Sequence, residues 1–335
     1  MKILITCYYE LVEALECAAN SLRKLGYEVV GYPLYKYYND LHDKDPNYVQ
    51  NFIKYIQNNN IDIILWWYFS IPTAAMKTIV INNPKIKNIM FNWDEPYNWA
   101  ACDIQNKAKL FDCVFVTSAE KLDDYIQYGS GKAVLQYPGY SEDLYNIIIE
   151  ENESDKTKYE CDISICCTNL YDNDNLYPNQ YIKRKELVDK LYDGQKVYGY
   201  KFHIYGPDKF KNMYPESYKG YVKYYDTNKL FNYSKINICT HVQCNTYKYI
   251  NERVVLILGS GGLLLVDKVD GIDEILVPNK ECVILDKDNY MNQILNILNN
   301  YDNYYIIRHN GKEKSKLFTW DEWSKNISNH ILRFF

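Results

Sequence analysis

The sequence lacks the features that mark several common classes of protein. It has no long basic run, and 38 Lys and Arg against 43 Asp and Glu leave a net charge of −5. Nucleic-acid binding depends on clustered Lys and Arg, so we expect no nucleic acid as partner. The longest apolar stretch, residues 254–266, is broken by glycines and is shorter than the ~20 residues that span a bilayer. We therefore expect no membrane span. The N-terminal MKILITCYY has no signal-peptide cleavage site, which favours a cytoplasmic location.

Paired cysteines of the kind that bind metals are also missing. Ten cysteines are present, yet no two are spaced as C-x-x-C. Several lie in or beside apolar strand-like runs, which is typical of buried thiols in a reducing compartment. The sequence therefore predicts no zinc site. The 36 tyrosines, with abundant Asn, Lys and Ile, are typical of an AT-rich genome.

Two nucleotide-binding fingerprints do not occur. After the first strand-like run the chain reads CYYELVEAL, where a dinucleotide-binding protein would have GxGxxG. A P-loop of the form GxxxxGK[ST] does not occur either. Dehydrogenase and ATPase functions therefore lose their usual support.

What the chain does have is a regular alternation of strands and helices. Residues 1–145 contain about six apolar runs, such as IDIILWWYF, separated by amphipathic stretches, and a second series follows the polar stretch ENESDKTK. This pattern predicts an α/β fold of two doubly wound, Rossmann-like domains, with a helical C-terminal segment that crosses back. Because the polar face of that segment is not strongly basic, we expect it to dock on the domains rather than on a membrane surface. The predicted boundaries are an N-terminal domain at 1–148, a linker at 149–158, a C-terminal domain at 159–312 and a final helix at 313–335.

The most informative stretch, residues 236–274, reads as strand, polar loop, helix and strand. Ligands of parallel sheets bind beyond the carboxyl ends of the strands, so the loop from His241 to Asn251 is where a ligand would lie. The glycines of GSGG follow the helix and precede a strand. This order favours a helix C-cap and a tight turn over a phosphate cradle, which lies between a strand and the helix it feeds.

An ordered series of motifs in the second half carries a family resemblance. CDISICCTN leads to Arg184 at a helix start, and HIYGP, SKINICT, NERVVLILGSGGLLLVD and DGIDEIL follow in order over residues 160–320. The series resembles the CgeB-type (spore maturation protein) glycosyltransferases of the GT-B fold. In the first half, only CVFVTSAEKLDDYIQYG and YPGYSEDLY are similar to that family.

The resemblance implies a glycosyltransferase that moves a sugar from a nucleotide-diphosphate sugar to an acceptor hydroxyl of a glycan or glycoprotein. It places the donor in the second domain and the acceptor in the first. We expect no metal and no cofactor, because Arg, Lys and a helix N-terminus would stabilise the leaving diphosphate. One departure is Leu256, which stands where the family has a Glu that contacts the nucleotide ribose. The alternative is therefore a non-catalytic nucleotide-sugar-binding or scaffold protein descended from such enzymes.

Several donor-side residues follow from the matched motifs, each with a structural alternative. Arg184 could neutralise phosphate or be a solvated helix charge, and Arg253 could reach phosphate or brace the loop. Lys248 could add positive charge near a diphosphate, and His241 could contact the ligand or be structural. Asn251 could contact the ligand or cap a helix, and Glu274 could bind sugar hydroxyls or cap a turn. The donor-binding candidates are Arg184, Tyr205, Gly206, His241, Lys248, Asn251, Arg253 and Glu274.

On the acceptor side, the stretch FNWDEPYNW follows a strand. Aromatic faces stack on sugar rings, so Trp93 and Glu95 are acceptor-side candidates and Asp94 is the candidate general base. The alternative is a turn fixed by Pro96 with charges at its rim. A separate Asp-x-Asp in Tyr171–Asn175 resembles a metal–diphosphate motif, but its Asn-rich loop and the predicted topology favour no metal there.

Overall fold

Two parallel β-sheets form the framework of the protein. The computed structural model describes residues 1–145 and 153–334. The chain divides into two compact units, Met1–Pro138 with Trp320–Phe335 and Gly139–Thr319. The first unit is therefore built from two separate parts of the chain.

The first unit contains a six-stranded sheet whose neighbouring strands all pair in parallel. Its strands are β1 Lys2–Thr6, β2 Glu28–Tyr32, β3 Ile63–Trp66, β4 Lys87–Asn92, β5 Cys113–Val116 and β6 Ala133–Leu135. Their order is β2-β1-β3-β4-β5-β6. The helices are α1 Glu13–Lys24, α2 Leu34–Asn39, α3 Tyr48–Asn58, α4 Thr73–Ile81, α5 Ile104–Lys107 and α6 Leu122–Gln127.

The apolar runs predicted as strands form the core of this sheet. All four residues of β3 and of β5 are buried, as expected for a parallel sheet covered on both faces. Helix α1 buries Leu15, Ala18 and Leu22 at helical spacing. Gly26, at φ +87°, provides the left-handed conformation that turns the chain into β2.

The second unit repeats this architecture with five parallel strands. They are β7 Cys161–Cys166, β8 Phe202–Tyr205, β9 Ser234–Cys239, β10 Leu263–Val266 and β11 Val283–Ile284. Their order is β11-β10-β9-β7-β8. The helices are α7 Glu142–Tyr145, α8 Glu153–Tyr159, α9 Arg184–Tyr198, α10 Lys209–Met213, α11 Thr227–Tyr233, α12 Glu252–Gly259, α13 Tyr290–Asn299 and α14 Tyr305–Ser315. The predicted pair of doubly wound α/β domains is confirmed.

The last helix, α15 Trp320–Ile331, belongs to the first unit, as predicted for a segment that crosses back. The Tyr27 hydroxyl lies 2.7 Å from the Ser328 Oγ. The apolar residues of α15 are buried at helical spacing: Trp320, Trp323, Ile327 and Ile331. In residues 1–145 and 153–334, no helix has the length and apolar character needed to cross a membrane.

The unit boundaries differ from the predicted ones. The first unit ends at Pro138 instead of 148, and the first residues of the second unit form α7. The predicted linker at 149–158 lies partly outside the described residues, and its described part forms most of α8. The predicted final helix at 313–335 is two helices, because α14 ends at Ser315 and α15 begins at Trp320.

The glycines of GSGG end helix α12, as the order of elements predicted. The Gly262 N–H donates to the Ile257 carbonyl at 3.1 Å and the Gly261 N–H to the Leu258 carbonyl at 2.9 Å. Gly261 has φ +75°, so the turn is a Schellman motif with Gly at its left-handed position. A Cβ on Gly262 would lie 2.6 Å from the Asn237 Nδ2, so this position also requires glycine for close packing.

Candidate functional site

In the second unit, three candidate side chains converge on one carbonyl at the carboxyl end of β9. The Thr240 carbonyl accepts hydrogen bonds from Arg184 Nη2 at 2.6 Å, Arg253 Nη2 at 3.2 Å and Asn251 Nδ2 at 3.3 Å. The sequence predicted a ligand loop here, from His241 to Asn251. The structure places Asn251 and Arg253 at the C-terminal end of that loop, whereas Arg184 comes from the start of α9.

Arg184 holds two loops together. Its side chain is buried, its Nε donates to the Thr240 Oγ1 at 2.6 Å, and its Nη1 donates to the Asn169 carbonyl at 2.7 Å. The guanidinium carbon lies 4.5 Å from the centre of the Tyr171 ring. These contacts brace the loops that follow β7 and β9, and burial corrects the alternative of a solvated helix charge. Its phosphate contact stays a prediction, which this geometry does not favour.

His241 is paired with a residue that the sequence did not single out. Its Nδ1 lies 2.5 Å from the Asp267 Oδ1, and both side chains are fully buried. Its Nε2 accepts a hydrogen bond from the Asn251 N–H at 3.3 Å, and the Cys244 thiol donates to Asp267 at 3.3 Å. Both ring nitrogens therefore serve to fix the loop in front of α12. The sequence signal was an Asp directly after a buried strand, which a motif search for His alone does not use.

Asn251 and Arg253 lie at the start of α12. Asn251 occupies the N-cap position, with φ −83° and ψ 164°. Its Oδ1 accepts from the Cys239 thiol at 3.2 Å, so the side chain braces β9. Arg253 is half-buried in the first turn of α12 and lies against Cys166 and Cys239, the last residues of β7 and β9. Burial raises the pKa of Cys166 to about 12. This thiol is therefore neutral near pH 7 and does not neutralise the charge of Arg253.

Tyr205 and Gly206 have structural environments. The Tyr205 side chain is buried, and its hydroxyl lies 3.1 Å from the His203 Nδ1. A Cβ on Gly206 would lie 2.2 Å from the Cys167 carbonyl oxygen, so only glycine fits. Their donor contacts stay predictions.

Lys248, which is half-buried, pairs with the exposed Glu274. The Lys248 Nζ lies 2.6 Å from the Glu274 Oε2, and the Tyr247 hydroxyl donates to the Glu274 Oε1 at 2.6 Å. The bond from Lys248 holds the pKa of Glu274 below its usual value. The structure thus joins two donor-side candidates that lie in separate parts of the sequence.

In the first unit, a cavity of about 350 Å³ opens at the carboxyl ends of β1, β3 and β4. Its volume is at the lower end of the range for small-molecule sites. Aromatic rings dominate the wall, and the polar groups come mainly from the stretch that follows β4. The lining residues that matter here are Tyr8, Trp67, Asn92, Trp93, Asp94 and Asn98. The structure therefore brings the predicted Trp93 and Asp94 together in one cavity.

Asp94 provides a carboxylate to this cavity. Asp94 is itself exposed, and partial desolvation raises its pKa above the usual value, which makes it a stronger base than an ordinary aspartate. Trp93 and Trp67 pack edge to face with ring centres 5.1 Å apart. Both also contact α15, since Trp320 lies 5.9 Å from Trp67 and 6.0 Å from Trp93.

Glu95 lies behind the cavity wall and not in it. Its side chain is fully buried, and its Oε2 accepts hydrogen bonds from the Tyr125 hydroxyl at 2.8 Å and the Asn92 Nδ2 at 3.2 Å. Desolvation raises its pKa to about 7. This burial corrects the alternative of a rim charge and separates Glu95 from direct contact. The residues missed by sequence reasoning were Asn92 and Asn98, although both lie inside the stretch that it selected.

Metal ligation has no visible candidate in the described part of the chain. No group of three or more His, Cys, Asp or Glu among those residues is arranged to hold a metal ion. In the Asp-x-Asp motif, Asp174 pairs with Lys183 at 2.6 Å. The absence of a metal requirement stays a prediction.

Comparison with known proteins adds a family match over part of the chain. Residues 183–328 match the sequence profile of a family described as glycosyl transferase-like. The match runs from the start of α9 into α15. No curated protein gives a significant match.

Solved structures with the same architecture cover the whole chain. Sucrose-phosphate synthase from Thermosynechococcus elongatus has a TM-score of 0.71 at 11% identity, covering 100% of this chain and 99% of its own. HepE from Anabaena, solved with UDP and glucose, has a TM-score of 0.67 at 13% identity, covering 99% and 100%. A glycosyltransferase from Rickettsia africae has a TM-score of 0.66 at 13% identity, covering 99% and 98%. At these identities the likeness shows the fold, and that fold is GT-B.

Proposed function

We propose that the protein is a glycosyltransferase that moves a sugar from a nucleotide-diphosphate sugar to an acceptor hydroxyl of a glycan or glycoprotein. The observation that carries the proposal is Arg253, a cation in the first turn of α12 at the carboxyl ends of β7 and β9. The partial profile match and the GT-B fold support it. The closer assignment to CgeB-type enzymes rests on the ordered motifs of the second half, and a cytoplasmic location is part of the proposal.

The donor would bind to the second unit. A helix N-terminus favours anions through its free N–H groups and its dipole. A guanidinium has five N–H groups, and Arg253 uses part of this capacity for the Thr240 carbonyl and the Cys239 thiol, which leaves N–H groups for a diphosphate. As the acceptor oxygen bonds to the anomeric carbon, the bond from that carbon to the diphosphate breaks, and Arg253 would stabilise the departing charge. This is why we propose a reaction with no metal and no cofactor.

The acceptor would bind in the cavity of the first unit. Tyr8, Trp67 and Trp93 offer faces for a sugar ring, and Asp94 lies beside them. The Asp94 carboxylate would take the proton that the attacking hydroxyl loses. Its raised pKa suits that task, because a stronger base accepts the proton more readily.

One observation favours the second candidate, a non-catalytic nucleotide-sugar-binding protein. Leu256 is buried, with 3% of its surface exposed, in the apolar face of α12. A ribose-binding carboxylate at that position is therefore replaced by core packing. Turnover separates the candidates, because the non-catalytic protein would bind a nucleotide sugar and release no nucleotide.

The test is a thermal-shift panel of UDP-, GDP-, dTDP- and CMP-sugars, with and without EDTA. UDP-sugars come first because a similar structure contains UDP-glucose. We expect one nucleotide class to stabilise the wild type equally in both conditions, and Arg253→Ala to lose most of the shift.

The matched control is Arg308→Ala. Arg308 Nε donates to the Gly261 carbonyl at 3.0 Å, beyond the other end of α12, so this variant should keep the donor shift. Arg184→Ala is a poor test, since it removes a buried brace. No shift from any donor in a cooperatively melting wild type would refute the donor site.

A further inference from the structure

Asn98 offers hydrogen-bonding capacity to the cavity of the first unit. Its Nδ2 donates to the Asn92 Oδ1 at 2.7 Å, and its Oδ1 accepts from the Asn92 Nδ2 at 2.9 Å. An amide has two N–H donors and two acceptor lone pairs. Counting partners among the described residues, one N–H and one lone pair of Asn98 remain, and Asn98 lines the cavity.

The orientation of this amide pair is fixed by its surroundings. The Asn92 Oδ1 also accepts from the Asp94 N–H at 3.2 Å. The Asn92 Nδ2 has one further N–H, which is shared between the Glu95 Oε2 at 3.2 Å and the Tyr125 hydroxyl oxygen at 3.0 Å. Turning the Asn92 amide over would set its Nδ2 against the Asp94 N–H and its Oδ1 against the ionised Glu95 carboxylate. Because Asn92 cannot turn over, Asn98 cannot either.

Glu95 is the anchor of this arrangement. It is fully buried, and its Oε2 accepts from both Tyr125 and Asn92. Its Oε1 has no hydrogen-bond partner within the described part of the chain. A buried carboxyl with an unpaired oxygen is costly. Together with the Asp94 N–H, this carboxyl orients Asn92.

We propose that Asn98 is a specificity-determining residue that reads a hydroxyl group of a sugar ring in this cavity, and that Glu95 is a positioning residue that acts through Asn92. The inference rests on the proposed function, since the ring would belong to the acceptor. Tyr8, Trp67 and Trp93 offer aromatic faces, while the remaining N–H and lone pair of Asn98 match the acceptor and donor of a hydroxyl. A small number of fixed polar groups in an aromatic wall is how small-ligand sites gain specificity.

Tryptophan fluorescence reports on this cavity without any enzyme assay. All six tryptophans lie in the first unit, and Trp67 and Trp93 line the cavity. We would titrate the protein with methyl α- and β-glycosides of glucose, galactose, mannose and xylose. We expect saturable quenching by at least one of them, and weaker binding of its derivative that lacks the hydroxyl read by Asn98.

Variants of Asn98 test the contact itself. Asn98→Ala and Asn98→Asp should each weaken binding of the best glycoside about tenfold, the scale of one lost hydrogen bond to a polar group. The matched control is Asn82→Ala, at the end of α4 and outside the cavity lining, which should bind as the wild type does.

Variants of Glu95 test positioning. Glutamine can keep an oxygen toward Tyr125 and Asn92, so Glu95→Gln should bind the glycoside within about twofold of the wild type, whereas Glu95→Ala should lose affinity. If Glu95→Ala fails to fold, Tyr125→Phe, which removes one donor to Glu95, should give a smaller loss. A merely structural role would lower stability in these variants and leave glycoside affinity in the folded protein unchanged, which would overturn the positioning role.

Failure of this inference differs from failure of the proposed function. Quenching by none of the glycosides, with a donor shift still present, would overturn the sugar subsite alone. Equal glycoside affinity of the wild type and Asn98→Ala would overturn the role of Asn98, while the cavity would still be a glycoside-binding site. Loss of the donor shift with glycoside binding intact would refute the transferase and leave a sugar-binding cavity.

Discussion

Glu95 shows how one buried carboxyl links stability to pH. Desolvation is the largest cause that raises its pKa from 4.5 to about 7, and Asp124 and Glu120 add to it. The hydrogen bond from Tyr125 and the charge of Lys121 oppose the rise. The folded protein therefore holds a proton at Glu95 over a pH range in which the unfolded chain has released it. By linkage, this group stabilises the fold fully below pH 4.5, and that stabilisation is lost as the pH rises through about 7.

The variant Glu95→Gln should remove this pH dependence. Raising the pKa of Glu95 from 4.5 to about 7 corresponds to about 3 kcal/mol. The stability of the variant relative to the wild type should therefore rise by up to ~3 kcal/mol between pH 4.5 and 7.5. The measurement is urea unfolding at several pH values, followed by tryptophan fluorescence. The control is Asp123→Asn, an exposed carboxylate in the first turn of α6, whose difference from the wild type should stay flat. A flat difference for Glu95→Gln as well would contradict a raised pKa.

Two arginines of the second unit show what sequence reasoning could reach at this scale. Both Arg184 and Arg253 fall on motif positions. The sequence alone does not show which of the two uses most of its N–H groups to bind oxygen atoms of the protein itself. The contacts of Arg184 come from Asn169 and Thr240, on loops of two different strands. Such partners follow only from the folded sheet, in which β7 and β9 are neighbours.

At the scale of elements, apolar runs predicted the strands well because β3, β5, β8 and β10 are buried on both faces. The order strand–helix–glycine–strand also predicted the turn after α12. The loop after β9 was predicted as the place of a ligand, but its internal bonding was not. His241 pairs with Asp267 across 26 positions of sequence, and this contact exists only because β9 and β10 pair in parallel.

Asp267 should be the position at which a substitution disturbs the loop after β9 most. It accepts from the His241 N–H at 2.8 Å, from the His241 ring and from the Cys244 thiol. Asp267→Asn replaces one acceptor oxygen by a donor and leaves buried groups unpaired, so we expect a loss of about 1–3 kcal/mol in stability. Thermal unfolding checks this. Asp270→Asn, an exposed neighbour, should change stability by less than ~0.5 kcal/mol, and equal effects of the two variants would contradict the role of Asp267.

At the scale of the whole molecule, the chain leaves the first unit at Pro138 and returns to it at Trp320. The returning helix was predicted from its apolar spacing, whereas the unit boundary was not, because the chain continues into α7 without a change in composition that marks the crossing. The match to the glycosyl transferase-like profile also continues into this helix. The wall of the cavity in the first unit thus depends on residues from both ends of the sequence, since Trp67 and Trp93 pack against Trp320.

Removing residues 320–335 should therefore unfold the first unit and spare the second. The four buried side chains of α15 contribute about 1.5–3 kcal/mol each by burial, which is comparable with the whole stability of a domain, ~5–15 kcal/mol. Hydrogen exchange followed by mass spectrometry should show loss of protection in β3 and β5 and retained protection in β7 and β9. Removing only residues 332–335 keeps the buried face of α15 and should leave both sheets protected. Retained protection of β3 in the longer truncation would mean that the first unit folds without its last helix, and the dependence of the cavity on α15 would then be limited to the orientation of Trp67 and Trp93.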